Sequence, residues 1–176
     1  MHLCPIVEKS KNTYTLKLKK YLFIAYFFAK INITMEDDMK NITIVGIDNN
    51  FVKSFAKNIA DKLGYNYLDA NEQFDKILLA NNNYPMFILD EILAQKENLL
   101  IDDLISKDKT VISISDDMFL SNEHYKKFEF STTILVLDEN LDKTRAGIQN
   151  LIKKYTKFTF NKNEIKTNDI IKIVRG

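Results

Sequence analysis

The sequence predicts a three-layer α/β/α domain built on a mostly parallel sheet of about five strands. Short apolar runs rich in Val, Ile and Leu alternate with longer segments whose apolar residues recur at helical spacing. This alternation is typical of parallel strands joined by crossover helices, and strands that are apolar throughout are typical of sheets covered on both faces. The sequence has no internal repeat or low-complexity linker that would favour another architecture.

The first predicted unit spans residues 40–71 and comprises a buried strand, a tight turn, an amphipathic helix and a second short strand. The strand ends at Gly46, the helix ends at Gly64, and the second strand ends at Asp69. This layout normally frames a phosphate-binding loop of the form G-x-x-x-x-G-K-[ST]. Counted from Gly46, however, the second glycine, the lysine and the hydroxyl residue fall on Phe51, Val52 and Lys53.

The later elements continue the alternation. After Asp69 the pattern predicts a helix over 72–80, a turn over 81–85 and a second helix that begins at Pro85, with 99–101 either extending it or starting a connection. A second core strand over 109–115 precedes the acids Asp116 and Asp117. The remaining elements are a short helix over 121–128 capped by Ser121, a strand over 132–137, a long helix capped by Asp138, a strand over 156–160 and a terminal helix from Thr167.

Composition limits the class of function. The 176 residues suit one domain of ordinary size with an extension, and 45% apolar with 28% charged residues indicates a real core beneath a polar surface. The net charge of +1 gives no reason to expect a nucleic-acid partner. Cys4 is the single cysteine, so the chain has no internal disulfide, and together with His2 and His124 it is too little for a zinc site. A cytoplasmic location fits best.

The N-terminal segment differs from the rest of the chain. Residues 1–34 hold six Lys and one Glu, whereas residues 35–176 hold 19 basic and 23 acidic residues. We therefore predict an extension over residues 1–38, outside a domain over residues 39–176, with translation starting at Met1, Met35 or Met39. Two alternatives remain: an extra element packed on the domain, or membrane contact through residues 17–33, whose apolar run is far below the roughly 20 residues that a spanning helix needs.

In order and spacing, residues 39–176 resemble shikimate kinases, which are small P-loop kinases. The resemblance rests on Gly46, on ADKLGY at 60–65 leading to Asp69, on FILDE at 87–91 where the family has F-R-x-x-E, on the strand ending at Ser115, and on LVLDENLDKT from residue 135. It implies a P-loop-kinase-like fold, and it implies ATP and magnesium as cofactors only if the site is active.

Carried over residue by residue, the resemblance implies candidate sites and many losses. Nucleotide-binding candidates are Gly46, Lys53 and Ser54; substrate-binding candidates are Asn71, Phe87 and Glu91; Asp69 is the catalytic candidate, and Asp69, Asp116 and Asp117 are the metal candidates. Several positions depart from the family: Phe51 for the loop glycine, Val52 for the lysine, Asn71 for the second acid, Ile88 for the substrate arginine, Ser115-Asp116-Asp117 for a triple glycine, and an apparent deletion of the arginine-bearing lid.

Each candidate also fits a purely structural role. Gly46 suits the sharp exit from a core strand, Lys53 a solvated helix position, and Asp69 the cap of the following helix. Adjacent acids at a strand end, such as Asp116 and Asp117, are usually solvated, and His124 is expected on the surface of a polar helix.

Two main hypotheses about function follow. In the first, the protein is a pseudoenzyme that has kept the fold, lost the active site and acts by binding, with another protein as a candidate partner. In the second, it is a divergent ATP-dependent small-molecule kinase in which Lys53 and Ser54 serve a loop shifted by one residue and Asp69, Asp116 or Asp117 holds magnesium. A weaker third hypothesis is a membrane-associated adaptor that uses the segment before Met35.

Overall fold

The structure is a computed structural model, and it describes residues 41–80 and 90–175. Within these residues five strands form one parallel sheet in the order β2-β3-β1-β4-β5, which confirms the predicted α/β fold class. The strands are β1 (Ile42–Gly46), β2 (Asn66–Asp69), β3 (Thr110–Ser115), β4 (Thr132–Leu137) and β5 (Phe158–Asn161).

Helices connect the strands and cover the sheet. They are α1 (Asn49–Leu63), α2 (Ala70–Leu79), α3 (Asp90–Ile105), α4 (Asp116–Leu120), α5 (His124–Lys127), α6 (Lys143–Lys153) and α7 (Thr167–Arg175), with short 3-10 turns at Ser121–Glu123 and Phe128–Phe130. Because α3 continues to Ile105, residues 99–101 belong to this helix and do not begin a connection.

Alternate residues of the central strands enter two different apolar clusters, one on each face of the sheet. Val45 of β1 packs with α3, α4 and α6, whereas Ile42 and Ile44 pack with α1 and α7. The same alternation holds in β4, where Leu135 joins the first cluster and Ile134 the second. Both faces of the sheet are therefore buried, which is why its central strands combine Val, Ile and Leu with small Thr and Ser and carry no charged side chain.

Asn41 fastens the amino end of the sheet to the end of α3. Its side-chain amide donates to Lys107 O at 2.5 Å and to Ile105 O at 3.3 Å, and its side-chain oxygen accepts from the Thr110 N–H at 3.1 Å. These bonds satisfy carbonyls at a helix terminus that have no intrahelical partner. A buried polar side chain thus links the start of β1 to the end of α3 and the start of β3.

Two predicted helix caps are wrong. Ser121 does not cap a helix over 121–128: it begins a 3-10 turn, and α5 begins only at His124, with no side-chain cap. The Ser121 hydroxyl donates to Glu97 at 3.0 Å, and it is Ser115 that caps a helix, at the start of α4. Asp142, not Asp138, caps α6. The backbone of Asp138 is bonded to the side chain of Gln149 in α6, which accepts from its N–H at 2.8 Å and donates to its carbonyl at 3.2 Å.

The prediction that His124 is a surface residue is also wrong, because its exposed fraction is 0%. Its Nδ1 lies 2.8 Å from Met118 O and its Nε2 lies 3.1 Å from Asn98 Oδ1. The preceding residues Asn122 and Glu123 have φ of 46° and 59°, in the left-handed region. This sharp change of direction brings α5 against α3 and turns the histidine inward.

Predictions that concern residues 1–40 and 81–89 lie outside the described residues. They include the N-terminal extension and its possible membrane contact, the turn over 81–85, the start of the second helix at Pro85, and the substrate candidate Phe87. Within the two described ranges, no helix has the length and apolar character needed to cross a membrane.

Candidate functional site at the carboxyl edge of the sheet

The sheet brings most of the candidate residues to one edge. In the strand register Gly46 lies opposite Ser115 of β3 and Val136 of β4, and Asp69 lies opposite Ser113. The carboxyl ends of β1, β2 and β3 are therefore side by side. In open parallel sheets this edge, near the point where the strand order reverses, is where ligands usually bind.

The turn after β1 is short. Only Ile47 and Asp48 separate Gly46 from the first residue of α1, and Phe51 already lies in the first turns of that helix. Among the described residues other than glycine, positive φ occurs only at Lys109, Asn122 and Glu123, so the turn contains none. The chain therefore passes from β1 into α1 through two residues, without a wide loop at this point.

Gly46 is packed tightly. A Cβ atom at this position would lie 2.9 Å from Val52 Cγ2 and 3.0 Å from Val136 O, and Val52 itself is 2% exposed. Val52 stands where the phosphate-binding lysine would be in the loop register. Its side chain fills the space beneath the turn, so this position contributes to the core.

A carboxylate occupies the amino end of α1. Asp48 Oδ1 accepts from the Phe51 N–H at 3.0 Å, and Asp48 Oδ2 lies 2.5 Å from Lys162 Nζ. The same Lys162 Nζ lies 3.5 Å from Asp138 Oδ2. We call these three side chains the Asp48–Lys162–Asp138 cluster. The bond from Lys162, and secondly the Phe51 N–H, lower the pKa of Asp48 below its ordinary value.

This cluster adjoins an open cavity of about 320 Å³, lined by Ile47, Asp48, Asn49, Asn50, Asp138, Asn140, Leu141 and Arg145. Two carboxylates thus face the space next to the helix terminus. The positive end of a helix favours an anion. Here the chain supplies that anion from its own Asp48, and Lys162 balances its charge.

Lys53 and Ser54 do not converge on the turn. Lys53 Nζ lies 3.4 Å from Asp69 Oδ1, at the end of β2, and its side chain is 43% exposed. The Ser54 hydroxyl donates to Phe51 O within the same helix, at 2.9 Å. The two residues predicted to serve a shifted loop therefore bind to different partners.

Asp69 is the most enclosed acid of the site, with an exposed fraction of 2%. It caps α2 by accepting from the Glu72 N–H at 2.7 Å, and its second oxygen accepts from the Ser113 hydroxyl at 2.7 Å. Tyr67 bonds the same Ser113 hydroxyl at 3.0 Å. These contacts match the structural role considered for Asp69 from the sequence.

Asn71 and Ser115 are bonded to each other. The Asn71 amide donates to Ser115 Oγ at 2.8 Å, and Asn71 Oδ1 accepts from the Ser115 N–H at 3.0 Å. Ser115 Oγ also accepts from the Met118 N–H at 3.3 Å. This pair joins the start of α2 to the end of β3. The side-chain amide and oxygen of Asn71 are therefore both bonded within the chain. Glu91 is exposed on the first turn of α3.

The acids do not form a metal centre. In the part of the chain that the structure describes, no three His, Cys, Asp or Glu side chains are grouped so as to hold a metal ion. Asp69 is already bonded by protein donors. Burial, and secondly the charge of Asp117, raise the pKa of Asp116 above its ordinary value.

The raised pKa of Asp116 gives a prediction about pH and stability. A carboxyl whose pKa is higher in the folded state than in the unfolded state destabilises the fold when it is ionised. This penalty is absent below the ordinary carboxyl pKa and grows as pH rises through the folded-state pKa. We therefore expect Asp116→Asn to raise the Tm at about pH 7 and to have little effect at about pH 3.

Circular dichroism melts at both pH values measure this difference. The control is Asp75→Asn, an exposed carboxylate in the middle of α2, whose effect on Tm should be smaller at about pH 7. A Tm gain for Asp116→Asn that is as large in acid as at neutral pH would contradict the electrostatic explanation.

Two site residues were not identified from the sequence. Asp48 carried a signal, because an Asp directly before a helical pattern is a common N-cap. No local pattern pointed to Lys162, because it is 114 residues away from Asp48 along the chain and the two meet only in the folded sheet.

No protein-family model matches this sequence, and no curated protein does either. Solved structures do match. The shikimate kinase from Acinetobacter baumannii in complex with shikimate has a TM-score of 0.56 at 11% identity, over 80% of this chain and 93% of that chain. The shikimate kinase from Bacteroides thetaiotaomicron gives 0.55 at 9% identity, over 78% and 99% of the two chains.

The shikimate kinase from Aquifex aeolicus gives a TM-score of 0.53 at 14% identity, over 76% of this chain and 93% of that chain. Identities this low establish the fold alone, and they agree with the strand order and the helix layers described above. The chain has the α/β fold of the shikimate kinases, a P-loop-kinase-like fold.

Proposed function

We propose that this protein is a pseudoenzyme: it keeps the shikimate-kinase-like fold, does not transfer phosphate and acts by binding another molecule, with a protein as the expected partner. The observation that carries the proposal is the Asp48–Lys162–Asp138 cluster at the amino end of α1. In a nucleotide-binding site this position receives the phosphate groups. Here a carboxylate of the chain itself accepts the helix N–H bond.

Electrostatics supports the proposal. A phosphate oxygen placed about 4 Å from the Asp48 carboxylate would be repelled by about 4 kcal/mol for each pair of unit charges at an effective dielectric constant of about 20, before the opposing attraction of Lys162 is counted. To bind there, a nucleotide would have to displace Asp48 and break its ion pair with Lys162. Val52, buried beneath the turn, offers no compensating charge.

The chemistry of phosphoryl transfer gives a second argument. The reaction is catalysed almost entirely by positioning and by neutralising charge on the transferred group. Loss of one preorganised donor typically costs about 10²–10³ in rate. In this chain the loop glycine, the loop lysine and the second acid are replaced together by Phe51, Val52 and Asn71, and an amide cannot take a proton from a substrate hydroxyl at neutral pH.

One observation favours the kinase alternative. The side chain of Lys53 is 43% exposed and its Nζ lies 3.4 Å from Asp69 Oδ1, so a cation and an acid stand together near the carboxyl edge. For this pair to serve catalysis, ATP and magnesium would have to approach from the β2 side and not along the axis of α1. A binding measurement separates the two functions.

Titration calorimetry of the full chain with ATP and magnesium is the test. We expect no saturable heat up to about 1 mM nucleotide, which corresponds to a binding free energy weaker than about −4 kcal/mol. A shikimate kinase titrated with the same solutions is the positive control, because it should bind the nucleotide. A coupled assay with ATP and shikimate should also give no turnover above the buffer rate.

Saturable micromolar binding would overturn the proposal if it is lost in Lys53→Ala and kept in Lys57→Ala. Lys57 is the matched control because it is an exposed lysine one helical turn further along α1. Such a pair of results would locate the nucleotide at the Lys53–Asp69 pair and would support the divergent kinase.

Two further proposals concern the location of the protein in the cell and the boundary of its domain. We propose a cytoplasmic location, because the sequence has a single cysteine and therefore no internal disulfide. We also propose that residues 1–38 form an extension to a domain over residues 39–176, because the excess of lysine ends where the acidic majority begins.

A further inference from the structure

Three segments meet the sheet at its amino edge, where β3, β4 and β5 begin. They are residues 106–109, 127–131 and 153–157, and together they hold six lysines and two acids. At the carboxyl edge, residues 47–48, 116–117 and 138–142 follow β1, β3 and β4 and hold six acids with no lysine or arginine. The two edges therefore carry opposite charge. We call the three lysine-rich segments the amino-edge surface.

The three segments adjoin one another. A cavity of about 200 Å³ lies between the first two and is lined by residues of both, including Lys107 and Phe130. Lys157 Nζ of the third segment donates to Glu129 O and to Ser131 O, at 2.7 Å each. These two carbonyls flank Phe130, so the ammonium group fixes the turn that carries this side chain.

Phe130 is an unusual residue for such an exposed position. Its exposed fraction is 74%, the largest among the large apolar side chains of the described residues. The same short turn buries Phe128 completely, so the core is already filled at this point. Phenylalanine has no polar group that could bond to water. The fold therefore gives no reason for its exposure.

The lysines differ in their availability. Lys107 and Lys127 already pair with acids of α3. The exposed side chains of Lys109, Lys153 and Lys154 have no hydrogen bond or ion pair within the described residues. A lysine at the end of a helix offsets the helix dipole, which is an ordinary explanation for Lys153 and Lys154 at the end of α6.

Lys109 has no such explanation. It lies between α3 and β3, outside any helix, and its φ is 48°, in the left-handed region where glycine is unstrained. Its backbone carbonyl accepts from the Asn66 N–H at 2.9 Å, a bond that any residue could form. A lysine at this position costs stability that a glycine would not, while its charge stays free.

The chemistry of the amino-edge surface favours a membrane over a nucleic acid. The three segments contain no arginine, the residue that grips single phosphates bidentately. Single strands stack their bases on free aromatic faces, but Tyr155 is stacked on Tyr125 with ring centroids 3.8 Å apart. The chain before Asn41 joins the domain at this same edge, and its lysines at 17–20 precede the apolar run 21–29. That order is typical of segments that lie at a membrane surface.

We propose that the amino-edge surface docks on an anionic membrane, with Phe130 at the boundary between headgroups and acyl chains and with Lys109, Lys153 and Lys154 beside the anionic headgroups. The cytoplasmic leaflet carries such lipids, which agrees with the proposed location. The inference goes beyond the proposed function and is independent of it, because it uses the opposite edge of the sheet.

Co-sedimentation of the full chain with vesicles tests the proposal. The vesicles contain phosphatidylcholine with about 30 mol% phosphatidylserine, and phosphatidylcholine alone is the neutral control. We expect saturable binding to the anionic vesicles only. Raising the NaCl concentration from about 0.1 to about 0.5 M should remove most of it, because salt screens the attraction between lysines and headgroups.

Variants locate the contact. Phe130→Ala should weaken binding to anionic vesicles about tenfold, because it removes the inserted apolar group. Lys153→Glu should also weaken it about tenfold, whereas Lys143→Glu should change it less than twofold. Lys143 is the matched control, since it is an exposed lysine at the opposite end of the same helix and its reversal changes the net charge equally.

Lys109→Gly separates binding from stability. It should weaken binding about fivefold by removing one charge, and it should raise the Tm by about 2 °C by relieving the left-handed backbone. A residue with a structural role alone would not give these opposite changes. Circular dichroism of every variant should match that of the unmodified chain.

Three results would overturn the proposal. The first is a full chain that does not bind the anionic vesicles. The second is binding that neither Phe130→Ala nor Lys153→Glu weakens, which would place the contact in residues 1–40, or that Lys143→Glu weakens equally. The third is saturable binding of a single-stranded oligonucleotide that the same variants weaken while vesicles are not bound, which would identify a nucleic acid as the occupant.

Discussion

Replacement of Asp69 by alanine is expected to lower the free energy of unfolding by about 3 kcal/mol. The side chain is 2% exposed and takes part in three interactions: it caps α2 through the Glu72 N–H, it accepts the Ser113 hydroxyl, and it pairs with Lys53. Alanine removes all three and leaves the buried Ser113 hydroxyl with only its contact to Tyr67. Urea denaturation followed by circular dichroism measures the change.

The control for Asp69 is Asp142→Ala. Asp142 also caps a helix, α6, through two backbone N–H groups, but it is exposed. Loss of such a cap costs about 1 kcal/mol. If the two variants lose the same stability, the buried contacts of Asp69 contribute little, and its structural role would no longer explain why an acid stands at this position.

The sheet could be predicted from the sequence because its signal is local. The runs in β1, β3 and β4 are rich in Val, Ile and Leu, have only Thr, Ser or Gly at the other positions and carry no charge, which is typical of strands buried on both faces. The first helix was equally clear, since its apolar residues repeat at helical spacing and Gly64 ends it with a φ of 70°. Each of these signals lies within about 15 residues.

Helix starts and buried polar residues were harder to predict, because several residues compete for the same role. Asp138 and Asp142 are both residues that commonly cap helices; the structure uses Asp142, and the backbone of Asp138 bonds the Gln149 side chain of the same helix. His124 lies among polar residues in sequence, yet two left-handed residues before it turn the ring into the core. Neither effect can be read from spacing alone.

The candidate site contains features that local sequence predicts and features that depend on distant residues. The replacements at Phe51 and Val52 could be read directly, because the loop register fixes which position each one takes. The ion pair between Asp48 and Lys162 beside this turn could not be read from the sequence, because Lys162 follows β5 and is 114 residues away from Asp48 along the chain.

Replacement of Gly46 by alanine is expected to lower the free energy of unfolding by about 2 kcal/mol, a typical cost of overpacking a core. Gly46 does not need a positive φ, so the cost is steric: the added Cβ would lie 2.9 Å from Val52 Cγ2 and 3.0 Å from Val136 O. The carbonyl belongs to the neighbouring strand and cannot move without disturbing the β1–β4 ladder. Chemical denaturation measures the loss.

Two further variants isolate the cause of the Gly46 effect. Val52→Ala removes the closer of the two contacts, so the double variant Gly46→Ala, Val52→Ala should be more stable than the sum of the single effects by about 1 kcal/mol. Gly147→Ala is the matched control: nothing lies within 4 Å of its added Cβ in α6, and alanine there should stabilise by about 0.5–1 kcal/mol. If Gly46→Ala left stability unchanged, packing against Val52 would not explain the glycine, and an open turn able to receive a phosphate would become the better interpretation.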